Sequence, residues 1–322
     1  MTARLALLLS LSLTACRRES APPRAAPSRP PDARSATSSP APPAPDAPPA
    51  ARRAEYAVLE RSPWADLAPG ARWAKATVRL TPAPDRAHPD AAPRTLVWVV
   101  ARLDVARVEL SVERTPGDRL EPHAERTRDA VLVTDSGFFE PDYAPSGVVL
   151  SCGRPVHGPG PRGGSGVLAL TAAGAAVVPV DTRDGGTFEH DGGVTTAVQC
   201  GPRVVEAGGA PGVFRHDGRF AARTVACVRD GGRTLDVIAT WDTEDGLLGP
   251  ELYDLATVLA GPSPVGDAAG CEAALNLDGG PSTGIFLRAV GAGGAMAFGR
   301  APMRPTPWAI VARLRAPRGA TR

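Results

Sequence analysis

Ten short runs of apolar and β-branched residues, each closed by glycine, proline, aspartate or a charged cluster, constrain the fold of this chain more than anything else. They lie at 73–80, 95–102, 107–113, 131–135, 147–152, 167–171, 195–200, 225–229, 235–241 and 273–278. Runs of this length between turn residues read as strands. Helical spacing is clear in one place: within 250–260, Leu252, Leu255, Ala256 and Leu259 recur at i, i+3, i+4 and i+7. Pro250 suits the first turn of that helix, and Gly261-Pro262 suits its end. A weaker helix is expected over 121–129. The expected fold is α+β: a mixed, strand-rich sheet core with a few packed helices, forming a single domain over residues 70–316.

The sequence before that domain has a different character. Residues 1–15 carry one early Arg4 and an apolar run from Leu5 to Leu13, the layout of a secretory signal, and the run is too short to span a bilayer as a helix. Leu13-Thr14-Ala15-Cys16 resembles the site at which bacterial lipoproteins are cleaved and acylated on cysteine. Cys16 is therefore the expected lipidation site, with the protein lipid-anchored in the cell envelope and facing the periplasm or the exterior. Residues 16–60 read as a disordered tether of Pro, Ala, Ser and Arg, in polyproline geometry long enough to reach of the order of 100 Å.

Charge and cysteines narrow the partners. Thirty-six Lys and Arg face 34 Asp and Glu, a net of +2, and no basic stripe is interleaved with aromatics, so nucleic acid is not an expected partner. Beyond Cys16 stand Cys152, Cys200, Cys227 and Cys271, without the paired spacing of a zinc site. In an exported protein these are expected to form disulfides, and three pairings are open.

The stretch most like an active-site floor is Leu275-Asn276-Leu277-Asp278-Gly279-Gly280-Pro281-Ser282-Thr283. Strand alternation sends Leu275 and Leu277 to one face and Asn276 and Asp278 to the other. Gly279 and Gly280 allow close approach to the backbone, and Ser282 and Thr283 add hydroxyls beyond the strand end. Asp-Gly-Gly recurs at Asp184, Asp191 and Asp230, where polar surroundings mark ordinary turns.

This stretch resembles the signature of the phosphodiester glycosidase family, and three further segments follow in family order. Val133-Thr134-Asp135-Ser136-Gly137-Phe138-Phe139, with Ser146 to Leu150 after it, is similar to the family's Asn-Gly-Gly-Phe-Phe segment and next strand. Ala197 to Arg203 resembles its Gly-Pro segment and Ala222 to Val225 its Arg-Thr segment. Here Asp135 stands where the family usually has Asn, and Pro281 where it has a third Gly.

The resemblance implies a hydrolase that cleaves the glycosidic C–O bond of a sugar 1-phosphodiester in an exported glycan. It makes Asp278 the leading catalytic or sugar-orienting carboxylate, Arg223 the phosphate clamp, and Asp135 a second carboxylate or an acceptor for sugar hydroxyls. Gly137, Gly201, Asn276, Gly279, Gly280 and Ser282 are the expected substrate-binding positions. Phe138 and Phe139 are expected to support the core. The competing readings are a non-catalytic glycan-binding surface lipoprotein on the same fold and, more distantly, a phosphodiesterase that cleaves P–O.

Other motifs lead elsewhere. Gly158-Pro159-Gly160-Pro161-Arg162-Gly163 has glycine spacing like that of a dinucleotide site, but its prolines and the lack of a helix make it a loop. The histidines at 88, 123, 157, 190 and 216 show no metal-pair spacing. No cofactor is required and no metal site is expected, with calcium at Asp242-Thr243-Glu244-Asp245 left as an alternative to a solvated loop.

Overall fold

The computed structural model of the chain describes residues 53–315, apart from 85–90, 116, 118, 181–187, 189–192, 268, 292–294 and 300–304. The expected signal peptide, Cys16 and most of the tether lie outside the described residues. In chain order the strands are β1 (Glu55–Arg61), β2 (Ala65–Ala68), β3 (Ala71–Thr81), β4 (Arg94–Asp104), β5 (Val108–Arg114), β6 (Ala130–Asp135), β7 (Val149–Ser151), β8 (Arg154–His157) and β9 (Gly166–Thr171). They continue as β10 (Ala175–Pro179), β11 (Val194–Cys200), β12 (Arg203–Val205), β13 (Arg223–Arg229), β14 (Thr234–Asp242), β15 (Ala273–Gly279), β16 (Ile285–Leu287), β17 (Met296–Phe298) and β18 (Trp308–Leu314). Helix α1 spans Leu120–Arg126 and α2 spans Leu252–Ala260.

Each of the ten expected strands falls on an observed one. The largest sheet runs β1-β3-β4-β14-β13-β15-β12, with β2 also paired to β3. Two five-stranded sheets run β10-β9-β11-β7-β8 and β17-β16-β6-β18-β5. Pairings within all three are antiparallel. The hairpin from β13 to β14 turns at Asp230-Gly231-Gly232, all with positive φ, as its Asp-Gly-Gly sequence predicts.

Alternation along the central strands divides the core. Val99, Ala101, Ala226, Val237, Leu275 and Leu277 face one way and pack against the inner residues of both five-stranded sheets, among them Val198, Leu168, Leu132 and Ile310. Trp98, Val100, Val225, Ile238 and Ala274 face the other way, against Leu255, Ala256, Val258 and Leu259 of α2. Helix α1 covers the outer face of β6, β16 and β18 through Leu120 and Ala124. The result is a strand-rich α+β unit within residues 51–322. Among the described residues no helix is long and apolar enough to cross a membrane.

The stretch read as tether proved too long. Glu55–Arg61 is a strand paired with β3 from Glu55↔Thr81 to Arg61↔Ala76, so the folded region starts well before residue 70. Its sequence, EYAVLER, forms an edge strand with almost every side chain in contact with water, and it therefore lacks the apolar alternation of a half-buried strand.

Cys227 of β13 and Cys271, just before β15, form a disulfide. Arg229 holds the same segment through hydrogen bonds from Nη1 to Ala269 O at 2.7 Å and Gly270 O at 2.9 Å. Cys200 is a buried free thiol. With 44 residues of separation, opening the disulfide releases a long loop in the unfolded chain. The double variant Cys227→Ala/Cys271→Ala should lose about 3 to 4 kcal/mol in urea unfolding. Equal midpoints for variant and wild type would contradict that expectation.

Candidate active site

The site forms where the ends of β6, β11 and β15 meet the start of β13. Asp135 closes β6, a strand buried along its whole length between β16 and β18. Its side chain is fully buried. Oδ1 accepts a 2.7 Å hydrogen bond from Thr224 Oγ1, with Thr134 Oγ1 at 3.2 Å and the Gly284 amide at 3.4 Å. Oδ2 is buried and has no hydrogen-bond partner among the described residues.

Asp278, near the end of β15, is half-buried. Its amide donates to Ser136 O at 2.8 Å, and its Oδ1 accepts from the Gly279 amide at 2.9 Å. Its facing departs from the simple alternation expected from sequence. Val225 of β13 pairs with Asn276, but Arg223 pairs with Gly279, so β15 carries one extra residue opposite Thr224. This bulge re-aims the strand end and puts Asp278 on the face of Leu277 and Thr224, away from Asn276.

The bulge makes Asp278 the electrostatic neighbour of Asp135. Burial pushes Asp135 well above the ordinary carboxylate range, and the charge on Asp278 pushes it further, against the hydrogen bonds from Thr224 and Gly284. Cys200 shares the site. Burial raises its thiol well above the usual value, with further pressure from Asp278 and Asp135. An inert neutral thiol is the result.

Arg223 begins β13 on the face of Val225 and Cys227, which α2 covers. Its Nη2 donates to Arg219 O at 2.8 Å and its Nε to Pro250 O at 3.4 Å. Burial lowers its pKa, opposed by the charges of Asp217 and Glu251. The two carboxylates are thus electrostatic neighbours on one face, whereas the guanidinium lies on the other face of the sheet. The faces meet at the strand end, where Arg223 stands opposite Gly279.

A phosphodiester glycosidase family model matches residues 128–313, which include both carboxylates and the arginine. The chain belongs to the phosphodiester glycosidase family. Among solved structures it resembles the zebrafish N-acetylglucosamine-1-phosphodiester alpha-N-acetylglucosaminidase catalytic domain auto-inhibited by pro-peptide. That match has a TM-score of 0.55 at 15% identity, over 82% of this chain and 89% of that one. A hypothetical protein from Synechocystis matches with a TM-score of 0.54 at 15% identity, over 84% of this chain and 64% of that one. At such identity these likenesses concern the fold. No curated protein matches the chain.

Within this family member the expected binding glycines divide by what surrounds them. A Cβ on Gly137 would sit 2.6 Å from Gln199 O, and one on Gly201 would sit 2.8 Å from Ser165 N. At these two positions the protein's own backbone lies where a side chain would be. Gly279 is likewise tight, 2.9 Å from Ala222 O. Gly280 is different, with φ of 57° and open space where a Cβ would be. It is the glycine over which a ligand has room to approach the backbone.

Asn276 Nδ2 donates to Gly201 O at 2.9 Å and Leu277 O at 2.7 Å, which leaves its buried Oδ1 unpartnered among the described residues. Ser282 is buried in the short turn Gly280–Ser282. The orphaned hydroxyls near the strand ends are instead those of Ser136 and Thr283. Sequence reasoning gave Ser136 and Thr224 no role of their own. Their signal was local: each is a hydroxyl residue directly beside a matched motif residue, Asp135 or Arg223, in an otherwise apolar strand context. Phe138 packs on the core, and Phe139 stacks 6.1 Å from Tyr143.

The remaining motifs have structural roles. The side chain of Gln199 pins the 158–164 loop through Gly160 O at 3.1 Å and Gly164 O at 3.0 Å. His157 Nδ1 bonds backbone carbonyls. His88 and His190 lie outside the described residues. Asp242 Oδ1 caps its own turn by accepting from the Glu244 amide at 2.8 Å, while Arg94 reaches Oδ2 at 3.3 Å. A 470 Å³ cavity beside Ala169, Val178 and Phe188 and a 310 Å³ cavity beside Arg72, Arg102 and Arg233 do not include Asp278.

Proposed function

We propose that this protein hydrolyses the glycosidic C–O bond of a sugar 1-phosphodiester in an exported glycan. The observation that carries the reading is the electrostatic proximity of Asp278 to Asp135 at the end of a bulged strand, inside the stretch that matches the family. In the reaction, water adds its oxygen to the anomeric carbon, and the bond from that carbon to the phosphate oxygen breaks. Phosphate leaves with the electron pair as a phosphomonoester. Asp278, the more exposed carboxylate, stabilises the developing positive charge at the anomeric carbon and takes the proton lost by water. Phosphate is a good leaving group, so protonation of the departing oxygen is less critical than in ordinary glycoside hydrolysis.

Arg223 is the proposed phosphate contact at the rim formed with Gly279 and Gly280. Its Nη1 has no acceptor among the described residues, and lysine would keep the charge but lose the planar fork. Arg223→Lys should weaken phosphodiester binding and slow turnover together, at about 2 to 4 kcal/mol in kcat/KM. Hydrolysis of a panel of sugar 1-phosphodiesters, with products identified by mass spectrometry, tests both points. No turnover of any substrate by folded wild type would overturn the hydrolase reading. Detectable glycan affinity in that case would favour a glycan-binding lipoprotein, a reading to which the turned-away guanidinium lends some weight. Unchanged kcat/KM in Arg223→Lys would remove the arginine from the phosphate site.

The proposed location is the cell envelope, with Cys16 as lipid anchor. The disulfide at Cys227 and Cys271 supports an oxidising compartment.

A further inference from the structure

We propose that Glu251 is the positioning residue of the phosphate contact: its buried carboxylate locks the turn at 216–219, and that turn holds the Arg223 guanidinium at the rim of the site. This rests on Arg223 being the phosphate contact of the proposed hydrolase.

Glu251 directly precedes α2 and is almost wholly buried. Both of its oxygens are occupied by one short segment. Oε1 accepts from the amide of Asp217 and from the amide of Gly218, the latter at 2.9 Å, and Oε2 meets His216 Nδ1 at 2.6 Å. The ring of His216 also lies 4.1 Å from that of Tyr253, on the first turn of α2. Contacts from three consecutive residues to a single carboxylate fix the path of the chain there, because releasing the turn would leave a buried carboxylate without donors.

The locked turn leads straight to Arg223. Arg219 follows it, with its amide donating to Asp217 Oδ1 at 3.0 Å, and the carbonyl of Arg219 accepts from Arg223 Nη2 at 2.8 Å. Pro250, the neighbour of Glu251 in the chain, supplies the other acceptor, a carbonyl 3.4 Å from Arg223 Nε. Glu251 thus governs both carbonyls that orient the guanidinium, one through the backbone and the other through the turn. The stem of the arginine is placed by the opposite wall: its Cδ lies 3.8 Å from where a Cβ on Gly279 would stand, and the Gly280 amide donates to Ala222 O at 2.7 Å. The side chain therefore runs along the Gly279 and Gly280 rim. Both acceptors are neutral carbonyls, which orient the planar fork without cancelling its charge. The charges of Asp217 and Glu251 favour the arginine cation against the burial that disfavours it. An arginine held in this way loses little rotamer freedom when an anion arrives.

A double-mutant cycle separates positioning of Arg223 from support of the fold. On a sugar 1-phosphodiester, Glu251→Ala should lower kcat/KM by about tenfold. Glu251→Gln keeps the size and one acceptor oxygen but puts an NH2 where the other was, and should lose about threefold. In an Arg223→Lys background, where the fork is absent, either substitution should cost less than about twofold. Equal losses in the two backgrounds would overturn the proposal, because a residue that only supports the fold acts whatever stands at 223. Circular dichroism checks folding, and the glutamine variant carries the test if alanine unfolds the protein.

The Nε–H nuclear magnetic resonance signals of the arginines give a readout that needs no turnover. The signal that disappears in Arg223→Lys identifies Arg223. In Glu251→Gln that signal should shift and exchange with water at least about tenfold faster, while the signals of Arg102 and Arg229 stay in place. An Arg223 signal unchanged in position and exchange rate would overturn the proposal even if the wild type hydrolyses phosphodiesters. An altered signal together with no turnover by wild type would count against the hydrolase reading alone and would uphold the hold of Glu251 on Arg223.

Discussion

In Asp278→Asn, kcat on a sugar 1-phosphodiester should fall by at least about a hundredfold, about 2.7 kcal/mol of transition-state stabilisation, while KM changes little. The amide keeps the shape of the side chain, so packing survives. It also keeps an oxygen that can accept from the Gly279 amide, as Oδ1 of the acid does at 2.9 Å. What disappears is the negative charge beside the anomeric carbon and the capacity to accept the proton of water. Steady-state kinetics with circular dichroism as a folding control decides the matter. Near wild-type turnover by the folded variant would strip Asp278 of its role and transfer the search to the Arg223 face of the sheet.

The second large effect is on stability, at the opposite end of the same strands. Asp236 of β14 is almost wholly buried and bonds two arginines: Arg102 at 2.7 and 2.6 Å, and Arg229 at 2.8 Å. Arg102 also meets Asp267 and stacks on Trp64, 4.6 Å from its ring. Asp236→Ala would leave the Arg229 guanidinium buried without a carboxylate partner among the described residues and Arg102 with half of its own. Breaking one member of such a buried group costs about 3 to 5 kcal/mol, more than the intact group contributes relative to apolar packing. Urea unfolding of the variant measures it. A loss below about 1 kcal/mol would show that water or a neighbouring carboxylate reaches the arginines easily.

Much of this architecture was legible because it follows from local chemistry. The ten apolar runs are strands, and the helix read from Leu252, Leu255, Ala256 and Leu259 buries Leu255, Ala256 and Leu259. Most strands that were missed lack a local signature. β1 is a water-exposed edge, β8 (RPVH) contains a proline, and β12, β16 and β17 have only three residues each. β18 has an apolar centre but directly follows Pro305 and Pro307, a context that suggests a turn. The motifs located Asp135 and Asp278, but not the orientation that joins them. That orientation depends on a single unpaired residue in β15 relative to β13, and a register shift is a property of two strands rather than of either sequence. Gly137 and Gly201 show a similar limit: a glycine signals that something comes close, and the sequence does not say that the protein's own backbone is part of it.

The position of β18 has a consequence for how the site is made. β18 lies in the middle of its sheet, paired on one side with β5 and on the other with β6, where Ala309 stands opposite Asp135. A chain leaving a ribosome or a membrane channel with its N-terminus first therefore exposes β5 and β6 long before the strand that belongs between them has emerged. Until then each offers a free edge, and Asp135 lacks the strand that covers it. Closing loops of this length carries an entropic cost before any contact repays it, so maturation should be slow for a domain of this size. Enclosure of Asp135 is then a terminal event of biogenesis, completed only after the strands that carry Asp135, Thr224 and Asp278 are already present.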